Sequence, residues 1–143
     1  MRRRFFLLAL LLVATPVRAD VLNAPDGIAI GGYDAVAYFT QGRARRGMGA
    51  HAHDWQGVRW LFASDAHRAA FAAEPERYAP RYGGYCAYGM SQGYKAPIDP
   101  EAWTVSDGRL YLNYSRMIRR LWLTDVPGYL SKADANWPVV SAR

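Results

Sequence analysis

The apolar positions of this chain begin as one unbroken run, Phe5 to Ala14, and afterwards occur only in short patches with the period of a strand or a helix. Ile28 and Ile30 alternate with small residues and predict a short strand, broken by Gly31-Gly32. Asp34 is a suitable N-cap for a helix through Phe39, with Gly42 as its stop. A loop is expected over 41–49. Residues 51–55 and 58–62 flank Gln56-Gly57 and read as a hairpin. Ser64 predicts the start of a helix over 65–73, and Pro75-Glu76 starts another helical turn that ends near Tyr78, before Pro80. Residues 81–93, RYGGYCAYGMSQG, carry too many glycines and tyrosines to read as either helix or strand. A second hairpin is predicted at 103–105 and 110–114, around Ser106-Asp107-Gly108. Ser115 then caps a helix toward Leu123, and Asp125, with Pro127 in the first turn, caps another reaching Asn136. The expected fold class is α+β: small antiparallel hairpins with short packed helices. No internal repeat stands out, and one domain with a C-terminal helical extension is expected over 20–143.

The first apolar run has a different meaning. Met1-Arg2-Arg3-Arg4 precedes it, Pro16 breaks it, and Val17-Arg18-Ala19 places small residues where a signal peptidase reads them. Ten apolar residues are too few to cross a bilayer as a helix, which takes roughly 20. Residues 1–19 therefore read as a signal peptide cleaved between Ala19 and Asp20. An uncleaved N-terminal anchor is the alternative. The expected location is the periplasm or the exterior, with no stable membrane insertion after cleavage.

This alters the charge argument. The whole chain carries a formal +6, with 18 basic and 12 acidic residues, but four of the arginines precede the cut. The mature balance is close to neutral and gives no electrostatic footprint for nucleic acid. Cys86 is the only cysteine, so no internal disulfide forms. Stability must come from packing, for which five tryptophans and ten tyrosines are available.

The candidate chemistry is sparse. His51 and His53, two apart on a strand, face the same side. His67 stands in the first turn of a helix, where it either helps satisfy the helix start or packs beside Phe71. Cys86 is followed four residues on by Met90, and thiolate with thioether is a donor set suited to Cu(I). A buried structural cysteine is the plain alternative. No nucleotide-binding, hydrolase-elbow, zincin or CxxC motif occurs.

Taken together, WQGVRWLFASDAHRAAFAAEPERYAP resembles the second half of a YHS domain, through Phe62, Ser64, Phe71, Pro75, Glu76 and Tyr78. Gly32 to Phe39 occupies the place of that family's opening motif, where Asp34 and Val36 match. The resemblance covers roughly 31–82. The longer pattern, through YGGYCAYG, DPEAW and LYLNYS, looks like the exported single-domain YHS proteins of bacteria and extends nearly to Trp137. Metal-binding members carry cysteines at three points that here hold Ala37, Ala63 and His67. The resemblance thus implies metal handling through a rebuilt site: His67 and Cys86 close together, with Met48, His53 or Met90 as further ligands. The leading expectation is an exported accessory protein that binds a soft transition metal, copper favoured. Its rivals are a metal-free module that docks a periplasmic protein partner and a thiol-dependent enzyme.

Overall fold

A computed structural model describes residues 21–143. The expected signal peptide, residues 1–19, and its expected cleavage point lie outside the described residues. The fold is α+β, built from two separate two-stranded antiparallel sheets and short helices. After a 3-10 turn at Ala29–Gly32 come α1 (Ala35–Thr40), β1 (Met48–Trp55), β2 (Val58–Phe62), α2 (Asp65–Ala73) and α3 (Pro75–Tyr78). A second 3-10 turn, Tyr82–Gly84, leads to α4 (Ala87–Ser91), β3 (Asp99–Ser106), β4 (Arg109–Asn113), α5 (Arg116–Trp122) and α6 (Val126–Val140).

The caps explain why these helices start where they do. Asp34 Oδ1 accepts from the N–H groups of Val36 and Ala37, Ser64 Oγ from His67, Ser115 Oγ from Ile118, and Asp125 from Gly128. Both hairpins turn on a residue pair with positive φ, Gln56-Gly57 and Asp107-Gly108, which matches the right-handed twist of the strands.

Four expectations need correction. Only Ile28 is extended, in a single bridge to Arg59, and Ala29–Gly32 form a 3-10 turn rather than a strand, with Ile30, Gly31 and Gly32 all at positive φ. Strand β1 begins at Met48, inside the expected loop. The segment 81–93 contains α4, capped by Cys86 itself, whose sulfur accepts from Gly89 N–H. Finally, α6 runs past Pro138 to Val140, since Ala133 and Val140 are buried in the core and packing outweighs the proline.

A larger correction concerns repetition. The chain is built twice. Each half runs from a left-handed turn through a short capped helix and a hairpin to a Ser-capped helix. The turns match angle by angle: φ is 46, 65 and 81° at Ile30-Gly31-Gly32 and 58, 62 and 80° at Tyr82-Gly83-Gly84. Strand register repeats at one constant offset. Met48↔Phe62 answers to Asp99↔Asn113, Ala52↔Leu61 to Trp103↔Leu112, and Trp55↔Val58 to Ser106↔Arg109, with a register irregularity at the same place in each. On that offset Ser64 answers to Ser115 and His67 to Ile118. Phe71 answers to Trp122, and both are fully buried. Asp34 and Cys86 cap the corresponding helices α1 and α4.

The halves are not independent. Phe71 meets Trp60 and Phe62 in the first core, with ring centroids 4.8 and 5.0 Å away. Leu110 and Leu112, from the second hairpin, are buried in that same core. Tyr111, between them in sequence, goes to the second core with Trp122, Met90 and Ala133. Strand β4 is thus shared by two cores, one on each face.

Candidate functional site

The corresponding caps of the two halves carry the polar chemistry of the interior. In the first half, Asp34 is fully buried. Its Oδ1 takes the N–H groups of Val36 and Ala37 at 2.9 and 3.1 Å. Its Oδ2 takes Ala63 N–H at 2.9 Å and His67 Nδ1 at 2.6 Å. With its proton on Nδ1, the His67 ring donates to this oxygen. The other ring nitrogen, Nε2, lies 3.3 Å from Thr40 Oγ1. Thr40 also reaches the Val36 carbonyl at 3.2 Å. One buried carboxylate therefore ties α1, the end of β2 and α2 together.

Ala37, Ala63 and His67, the three positions that the YHS resemblance sets against cysteines, converge on this carboxylate. Alanine side chains offer no donor atom. Both Asp34 oxygens are already committed to hydrogen bonds. The residues present there do not fit a soft metal.

In the second half, Cys86 takes the place of Asp34. Its Sγ accepts from Tyr114 N–H at 3.2 Å and Gly89 N–H at 3.4 Å, and lies 3.5 Å from Asn113 Oδ1. The Tyr114 bond is the counterpart of Ala63 to Asp34. Asn113 Oδ1 accepts from Tyr88 N–H at 3.0 Å, while its Nδ2 is buried without a protein partner. Burial pushes the Cys86 thiol pKa up, and the backbone N–H bonds only partly oppose this. Where the first half has His67, the second has Ile118, so no imidazole covers the sulfur. Instead a pocket of about 220 Å³ opens there, lined by Cys86, Tyr88, Tyr94, Ala96, Tyr114 and Ile118.

The proposed ligands are distributed as follows. Cys86 caps α4 and Met90 lies within it, fully buried in the second core. His67 contacts Asp34, Thr40 and Ser64, while Cys86 contacts Asn113, Gly89 and Tyr114. The two sets have no residue in common, and the structure seats the two side chains in different halves. His53 packs edge-on toward Phe71 at 6.2 Å, its neighbour His51 reaches Asp65 at 3.0 Å, and Met48 is exposed at the start of β1. Among the described residues, no group of three or more His, Cys, Asp or Glu is placed to hold a metal ion.

Asn113, Thr40 and Ile118 were not singled out by sequence reasoning. A signal for the duplication does exist: GGYDA at 31–35 and GGYCA at 83–87 differ at one residue, and it is the cap. The chain matches no protein-family model, no curated protein and no solved structure.

Proposed function

We propose that this chain is an exported YHS-like accessory module that captures an apolar side chain of a partner protein in the pocket over Cys86. The observation that carries this reading is the pocket's composition together with its rim. Its walls are aromatic and aliphatic, and Tyr94 and Tyr114 are half exposed. Met117 and Leu121, one turn apart on α5, the helix that brings Ile118 to the pocket, form an exposed apolar stripe. Arg116 and Arg120 form the adjacent exposed stripe on the same helix. An apolar anchor flanked by acidic residues complements both stripes. The test uses two synthetic peptides with one Leu-Phe anchor, flanked by Glu in one and by Lys in the other. The acidic peptide is expected to bind and to protect Cys86 from alkylation, and Ile118→Trp, which fills the pocket, to abolish both effects. Equal binding of the two peptides, or unchanged binding to Ile118→Trp, would sink the reading.

A soft metal, copper favoured, is the second reading, supported by one specific feature: the Cys86 sulfur lines an open pocket. Any Cu(I) site would then be centred on Cys86, with a further donor supplied by a partner. Anaerobic Cu(I) competition against a chromogenic chelator checks it. On this geometry Cys86→Ser lowers affinity and His67→Ala does not. Thiol catalysis has less support, because Cys86's polar neighbours are an amide and backbone N–H groups rather than a base.

A further inference from the structure

A second cavity lies on the far side of the Tyr82 turn from Cys86 in sequence, between the tip of the first hairpin, α3 and α6. Its volume is about 450 Å³. Three aromatic residues line it: Trp55 from the end of β1, Tyr82 from the left-handed turn and Trp137 from α6. Glu76 and Asp134 bring two carboxylates, and Arg81 one guanidinium. The lining is therefore aromatic with a net negative charge.

Among the described residues one pair of these polar groups is joined, Tyr82 with Asp134. Tyr82 donates its hydroxyl to Asp134 Oδ1 at 2.9 Å, which orients that carboxylate and leaves Oδ2 open. Neither Glu76 nor Arg81 takes part in a side-chain ion pair within 4.0 Å among the described residues. The aromatic frame is held firmly. Tyr82 and Trp137 rings meet edge to face at 6.3 Å, and Trp55 packs on Trp60 and Phe71, each at 5.8 Å. The turn that presents Tyr82 is pinned by Asn23 N–H to Gly83 O at 2.8 Å and by Asn23 Nδ2 to Gly84 O at 3.0 Å.

From this we infer a binding site for a small organic cation of the alkylammonium class, held against the partly exposed rings of Trp55 and Trp137 beside the buried Tyr82, and neutralised by Glu76 and Asp134. The physical reason is the match of two attractions. Aromatic faces carry negative quadrupole charge that attracts a weakly hydrated cation. Carboxylates at the rim add a Coulomb attraction that strengthens as water is displaced. A neutral ligand of the same shape gains neither. An anion would have Arg81 alone to set against two carboxylates. The site is independent of the Cys86 pocket, since the two cavities have no lining residue in common.

The experiment titrates choline into the purified protein by calorimetry or NMR, beside its uncharged isostere 3,3-dimethylbutanol and beside acetate. Choline is expected to bind, and the isostere to bind at least about tenfold more weakly, as expected for a cation held over desolvated rings. Glu76→Gln alters an exposed side chain, so its fold should survive, and it is expected to weaken choline by about threefold or more. Trp137→Phe keeps the packing and is expected to weaken it as well, since Trp is the best cation-binding ring. Equal affinity for choline and its isostere would overturn the proposal. So would preferential acetate binding, no choline binding at millimolar concentration, or a folded Glu76→Gln that binds choline unchanged.

Discussion

Asp34 is the residue on which the first half depends most. Its two oxygens satisfy three backbone N–H groups and one imidazole, the bonds to Val36 and Ala37 fully buried and those to Ala63 and His67 partly so. Removing a buried acceptor leaves each donor without a partner, and this costs more than the bond itself contributed. Asp34→Ala is therefore expected to lose about 3–5 kcal/mol in urea unfolding, as for other broken buried pairs. His67→Gln, which removes one donor of four at a partly exposed position, should cost about 1 kcal/mol. Similar losses from the two variants would show that the carboxylate is not the organising group.

Cys86 behaves differently although it caps a helix in the same way. Burial raises its pKa above the usual 9.0, so the folded chain holds a neutral thiol near pH 7. The consequence for stability has a definite sign. Above the unfolded pKa the unfolded chain releases the thiol proton while the folded chain retains it. The unfolded state then binds fewer protons, and stability falls as pH rises. This loss begins near pH 9 and ends once pH passes the folded value. Tyr38 and Tyr82, also raised by burial, act in the same direction at higher pH. Urea midpoints of the native chain and Cys86→Ser, compared between pH 8 and pH 10, isolate the cysteine. The native chain should lose more stability than the variant, and parallel curves would contradict the assignment.

At the scale of elements, the second left-handed turn carries a sharper constraint than the hairpin turns. Gly83 has φ +62°, and an added Cβ would collide with the Val21 carbonyl. Gly84, at φ +80°, would meet Ile30 Cγ2 at 2.8 Å and Pro80 Cγ at 3.2 Å. Gly108 also has positive φ, but an added Cβ there meets nothing within 4 Å. Gly108→Ala thus incurs only the backbone penalty, about 1 kcal/mol. Gly83→Ala and Gly84→Ala add a steric clash and are expected to cost at least about 2 kcal/mol more. Thermal melts of the three variants check the ranking. The same region shows how a dense glycine segment misleads: RYGGYCAYGMSQG looks structureless because its glycines serve the turn and the close approach of Gly89 to Ala96, while Cys86 starts a helix between them.

The whole molecule is a duplicated unit that does not divide at its midpoint. Leu110 and Leu112 complete the core built mainly by the first half, and β4 presents Tyr111 to the other core. A fragment of residues 20–80 is therefore expected to show no cooperative melt, because it lacks the leucines that close its core. A cooperative transition in that fragment would make the halves separate domains. Export belongs to this scale too. The tripartite leader predicts a mature N-terminus at Asp20 in the periplasmic fraction, which intact mass and N-terminal sequencing check. Retention of Met1 on the native protein would point to the anchor instead.

What the sequence determined by itself was local. Caps at Asp34, Ser64, Ser115 and Asp125, and both hairpin turns, follow from hydrogen bonds and backbone angles within a few residues, and each was legible. The α+β class follows from them. Tertiary structure alone decided that Asp34 reaches across 33 positions to His67, that Cys86 and Ile118 line one pocket, and that Leu110 and Leu112 face a core opposite to that of Tyr111. The reason is physical. A cap is satisfied by neighbours along the chain. The partner of a buried carboxylate or thiol is whatever the packing of distant elements brings within about 3 Å, and no short pattern encodes that distance.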